Sequence, residues 1–78
     1  MSKTVHEVRI GLIKASVYCK RTRSGIRYQV SAVRLYRNGD CWKQSVRFGR
    51  DDLPVLRLAI DKAHTWITQQ ATWLAEDH

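Results

Sequence analysis

The chain has 78 residues, 14 of them Lys or Arg against 7 Asp or Glu, for a formal net charge of +7. That length allows one domain, residues 1–78, which buries only about 60% of its unfolded surface, so a second subunit is a natural source of further core. No apolar run approaches the roughly 20 residues of a membrane span, and the opening MSKTVHEVRI lacks the apolar centre of a signal peptide, so a cytoplasmic protein is expected.

The charge is unevenly spread. Residues 1–50 hold twelve Lys and Arg against two acids, whereas residues 51–78 hold two against five. A basic surplus confined to one part of a fold is what an electrostatic footprint for a polyanion looks like. Cys19 and Cys41 form neither a CxxC pair nor a Cys/His cluster. No metal or cofactor is expected, and both thiols read as reduced.

In chain order, residues 5–10 read as a short first strand. Gly11 follows, and there the apolar parity flips from Ile10/Leu12 to Ile13/Ala15, which suggests a bulge or bend. Residues 12–21 alternate with period two as a half-buried strand does, and residues 26–36 and 42–48 are rich in β-branched and aromatic side chains. Thr22–Gly25 and Asn38–Asp40 supply the turns. From residue 52 to 73 the period becomes helical. Asp51 or Asp52 can cap the start, and Pro54 suits a first turn. Leu53, Leu56, Ile60, Ala63, Ile67 and Leu74 form one apolar stripe, with Ala59, Trp66 and Trp73 beside it. The fold class is therefore α+β: an antiparallel meander of three long strands, with a short fourth at the N-terminus, and one long C-terminal helix on one face.

The turns set a register. A loop at Thr22–Gly25 pairs Lys20 with Arg27, Tyr18 with Gln29 and Ser16 with Ser31 on one face. Cys19 then meets Tyr28, Val17 meets Val30 and Ala15 meets Ala32 on the other. A three-residue second loop, Asn38–Asp40, would oppose Val30 to Phe48, Ala32 to Val46 and Tyr36 to Trp42. It turns Arg34 and Gln44 inward; a bulge around Ala32–Arg34 would instead send Arg34 and Tyr36 outward. In either case Lys14, Lys20, Arg27, Lys43 and Arg47 are expected on the outer face around Tyr18, with no acid among them.

A cationic sheet interleaved with aromatics suits single-stranded nucleic acid, because lysine and arginine hold phosphates and flat rings stack on unpaired bases. Two apolar stripes exceed what a three-stranded sheet can cover, so Ala59, Trp66 and Trp73 are expected at a helix-to-helix homodimer interface. His6, His64 and His78 are dispersed, and no nucleophile–base pair or phosphate-cradling glycine loop is present. A non-enzyme is expected.

The runs IGLIKASVY, RYQVSAVRLYRNGDCWKQS and FGRDDLPVLRLAIDKAHTWI, within about residues 8–67, resemble small bacterial proteins similar to the single-stranded DNA-binding fold of the coactivator positive cofactor four and the plant Whirly proteins. The resemblance implies a curved antiparallel sheet, subunits paired by the C-terminal helix, and a role in transcription or DNA maintenance. Carried to matching positions, it makes Lys14, Arg34, Tyr36, Trp42 and Lys43 the leading contacts, with Tyr18 and Arg47 beside them. Two competing readings are a duplex-reading sheet of the integrase-arm type, using Arg27, Gln29 and Arg47 on base edges, and a basic protein-interaction module.

Overall fold

In the computed structural model, which describes the backbone of residues 2–76 and the side chains of residues 3–70, β1 spans Ser2–Ile10, β2 Ile13–Thr22, β3 Gly25–Asn38 and β4 Cys41–Ser45. A single 3₁₀ turn at Arg50–Asp52 leads into α1, Leu53–Glu76. The strands pair in chain order as one antiparallel sheet. The α+β meander-then-helix architecture is thus the one the periodicities predict, with a first strand of full length.

Each hairpin closes through two residues. Ile10 pairs with Ile13 around Gly11-Leu12, Thr22 with Gly25 around Arg23-Ser24, and Asn38 with Cys41 around Gly39-Asp40. Gly11 and Gly39 adopt φ of +59° and +65° while their successors do not. Positive φ at the first central position alone belongs to the type II′ class, whose twist matches that of the flanking strands. The parity flip at Gly11 is therefore a tight turn, not a bulge. The bulge lies earlier, at Val5, where the β1–β2 register shifts between Thr4 and His6.

The β2–β3 ladder runs unbroken from Ile13↔Arg34 to Thr22↔Gly25, pair for pair as the Thr22–Gly25 loop requires. The β3–β4 ladder differs from expectation. It runs from Arg34↔Ser45 to Asn38↔Cys41, one residue out of the three-residue-loop register, and β4 ends at Ser45. Val46 and Phe48 are not strand residues; Phe48 packs onto the core from the connection, while Val46 is exposed.

The core has two layers. Val8, Ile13, Ala15 and Val17 of the sheet meet Ala59 and Ala63 of α1, and both alanines are 0% exposed. Side chains this small let the helix backbone approach the sheet closely. Trp66 roofs the cluster, stacked on His6 at 4.7 Å and edge-on to Tyr28 at 6.1 Å. Ala59 and Trp66, expected at a subunit interface, lie here against the chain's own sheet: seven residues, about two helix turns, bring both to the same helix face, Ala59 into the core and Trp66 between His6 and Tyr28. The side chains of Trp73 and Leu74 lie outside those described.

The helix start is tied to β3 through one carboxylate. Asp52 Oδ2 accepts the Gly49 N–H at 2.8 Å and lies 3.4 Å from Arg34 Nε, while the Asp52 N–H donates to the Gly49 carbonyl at 3.0 Å. Gly49 is thus the N-cap, and Asp52, rather than Asp51, supplies the reciprocal capping contact from the third residue of the turn. Arg34 Nε also donates to the Arg47 carbonyl at 3.3 Å, so the guanidinium holds the β4–α1 connection. Replacing Asp52 with Ala removes a cap and a partly exposed ion pair, and should lower unfolding free energy by about 1–2 kcal/mol. Chemical denaturation of Asp52→Ala, Arg34→Ala and the double variant checks this, and the two losses should be less than additive.

Candidate nucleic-acid interface

Alternation along the strands sorts side chains onto two faces. On β2, Ile13, Ala15 and Val17 lie under the helix, which leaves Lys14, Ser16, Tyr18 and Lys20 on the uncovered face. Their β3 partners are Val33, Ser31, Gln29 and Arg27 in that order. On β1, Arg9 lies beside Lys14, Glu7 beside Ser16 and Thr4 beside Tyr18. Further along, Arg37 of β3 opposes Trp42 of β4, and Leu35 opposes Gln44.

The uncovered face therefore has two places where like charges stand directly across a ladder: Lys20 against Arg27, and Arg9 against Lys14. Directly opposed like charges cost stability. Tyr18 lies between these pairs, half-buried, in the row of Thr4 and Gln29. Glu7 is the one acid on this face among the described residues, against the expectation of none; it belongs to β1, whose register the Gly11-Leu12 turn decides. Trp42 is 59% exposed at the opposite end of the face. Eight residues of β3 separate its row from that of Tyr18, about 27 Å along the strand. Leu12, Leu35 and Val33 line the approach to it.

The nine expected contacts are divided between the faces. Lys14, Tyr18, Lys20, Arg27 and Trp42 share the uncovered face. Arg34, Tyr36 and Lys43 lie on the helix side, where Tyr36 pairs with Lys43 and sits 5.8 Å from the Arg34 guanidinium. Arg47 is in the connection after β4, and its N–H donates to Ser45 Oγ at 3.1 Å. The physical cause is the loop. Two residues rather than three between β3 and β4 move every β4 side chain to the other face, and the continuous β2–β3 ladder excludes a bulge at Ala32–Arg34. Arg9 and Arg37 are on the uncovered face without having been anticipated. Extending the ladder across a Gly11-Leu12 turn would have found Arg9, since it then opposes Lys14.

Among the described residues no group of three or more His, Cys, Asp or Glu side chains could hold a metal ion, and no helix is long and apolar enough to cross a membrane. No protein-family model, curated protein or solved structure matches the chain, so the functional reading rests on these residues and their arrangement.

The split between faces has a direct optical consequence. Trp42 is open to solvent, whereas Trp66 is clamped between His6 and Tyr28. Trp42→Phe should remove a large share of the acrylamide-quenchable fluorescence, and Trp66→Phe should remove emission that acrylamide reaches poorly. Equal quenching lost in the two variants would contradict the assigned faces.

Proposed function

We propose that the chain is a non-enzymatic nucleic-acid-binding protein that lays a single strand, DNA in the first instance, across the helix-free face of the sheet. The observation that carries this reading is the pair of directly opposed like charges, Lys20/Arg27 and Arg9/Lys14, flanking the half-buried Tyr18. A bound phosphate backbone relieves that repulsion and releases counterions in doing so. Tyr18 and the exposed Trp42 offer ring faces for unpaired bases, which a duplex keeps stacked on one another. The exposed Gln29 and Ser31 beside them are uncharged and short or flexible, which suits contact with little sequence preference. Transcription or DNA maintenance is the setting such an activity fits.

The test is fluorescence anisotropy of length-matched single-stranded DNA, duplex DNA and RNA at several salt concentrations. Single-stranded DNA should bind best, with log affinity falling linearly in log salt. Lys20→Ala and Arg27→Ala should each weaken binding and flatten the slope by about 0.7, the single-strand value for one phosphate. Tyr18→Ala should cost about 1–3 kcal/mol and leave the slope unchanged. Lys43→Ala, on the helix side, should change little. Duplex preference would favour a groove-reading sheet. Silence toward all three at low salt, or a Lys43→Ala loss equal to that of Lys20→Ala, would overturn the proposal.

A further inference from the structure

β3 is longer than the strand that follows it. β4 pairs only with residues 34–38 of β3, whereas β2 pairs with Gly25 through Arg34. Along Gly25–Val33, among the described residues, the side of β3 away from β2 has no strand beside it. The direction of the backbone there follows from one bond. Leu35 N–H donates to the Leu12 carbonyl at 2.7 Å, so the odd residues of β3 point their amides at β2. The amides and carbonyls of Ile26, Tyr28, Val30 and Ala32 therefore point to the open edge.

The two edges of the sheet are treated differently. β1, the other edge, carries a bulge at Val5 and the charged Lys3, Glu7 and Arg9 within its length. Bulges and charges are the usual means of keeping an edge from pairing. The β3 edge, GIRYQVSAV, has no bulge, no proline and one charge, Arg27. On its helix side Ile26 is 47% exposed and Val30 42%, while Tyr28 between them packs edge-on to Trp66. On α1, Ile60 is 45% exposed as well and does not line the groove against β1 that holds Leu58, two residues and about 200° round the helix from it.

We propose that the open edge of β3 pairs antiparallel with the same edge of a second copy of this chain, about a two-fold axis at Gln29. The edge is complementary to itself in that register. Tyr28 faces Val30 and Ile26 faces Ala32, large against small, and both pairs stay on the helix side. Arg27 faces Ser31 and so avoids its own twin. The edge-pointing amides of Ile26, Tyr28, Val30 and Ala32 all find carbonyls. The register ends at Ala32, just short of where β4 begins to occupy the edge. Three strand spacings, about 14 Å, then separate β2 from its twin. Helices in direct contact lie about 8–10 Å apart, so two helices above these strands leave a trough that the exposed Val30 and Ile26 floor. The result is one eight-stranded sheet with both helices on one side and a continuous uncovered face on the other. It stands on the protein alone, whatever that face binds.

The experiment combines sedimentation with residue-resolved amide exchange on the full chain. A dimer mass is expected. Amides of Ile26, Tyr28, Val30 and Ala32 should exchange slowly alongside Arg27, Gln29 and Ser31, and dilution to the monomer should speed only the first set, by about ten-fold or more. Val30→Pro removes an amide that points at the edge and leaves the β2 ladder intact, so it should give a monomer with Arg27, Gln29 and Ser31 still protected. Val30→Lys, which places a charge in the trough without a backbone change, should do the same if the proline variant does not fold. A monomer mass at every concentration, or a dimer in which the even-numbered amides exchange freely, would overturn the proposal; the second result would mean pairing through the helix or another surface.

Discussion

The unbroken ladder between β2 and β3 is the constraint on which the rest of this molecule depends. Ten consecutive pairs, from Ile13↔Arg34 to Thr22↔Gly25, keep one parity from end to end. One slip would exchange Val17 for Tyr18 or Ala15 for Lys14 beneath the helix and bury a charge. Because no slip occurs, every apolar residue of β2 from Ile13 to Val17 falls on the covered side, and every basic residue of that strand from Lys14 to Lys20 falls on the other. The separation of core from candidate interface is thus a consequence of pairing, and no loop or cofactor is needed to produce it.

What the ladder leaves unsettled, a few side chains settle. Ala59 and Ala63 bring α1 close over β1 and β2, and Trp66 closes the gap between His6 and Tyr28. Small residues at the centre of the helix contact make for a thin layer; the molecule measures 16 Å along its shortest axis and 50 Å along its longest. A helix laid on one side of so long a sheet cannot cover all of it. Its coverage ends at Arg34, where an inward guanidinium would otherwise face apolar groups. Asp52 and the Arg47 carbonyl accept it instead. The same contact that ends the core therefore sets where the helix begins.

Much of this was legible in the residues, and the failures have identifiable causes. The β2–β3 register could be read because both faces of that hairpin separate cleanly, so only one pairing keeps Cys19, Val17 and Ala15 together. The β3–β4 register could not. Val46 and Phe48 look like strand residues, and extending β4 through them favours a loop one residue longer. In the fold, Phe48 instead meets the core from a connection, a role that hydrophobicity alone does not distinguish from a strand. That one residue sends Lys43 to the helix side and Trp42 to the uncovered face. Trp66 has a partner that three strands would not supply: the two apolar stripes exceed what three strands cover, but β1 is nine residues long and adds His6 as a stacking partner.

The two faces of β3 make opposite demands, and one strand meets both. Its odd residues, Arg27, Gln29 and Ser31, turn toward the uncovered face and give their amides to β2. Its even residues, Ile26, Tyr28, Val30 and Ala32, turn toward the helix side and aim their amides at the open edge. Apolar side chains and free backbone donors are therefore presented together along one line, while the charge that would repel a neighbour is concentrated across the ladder on β2 and β1. A strand arranged in this way can extend the sheet without disturbing the cationic face, because edge pairing and phosphate contact use different atoms of the same residues. Lengthening the face in this manner would double the run of basic rows that a single strand could follow, and it would place Arg27 of each copy toward the middle of that run.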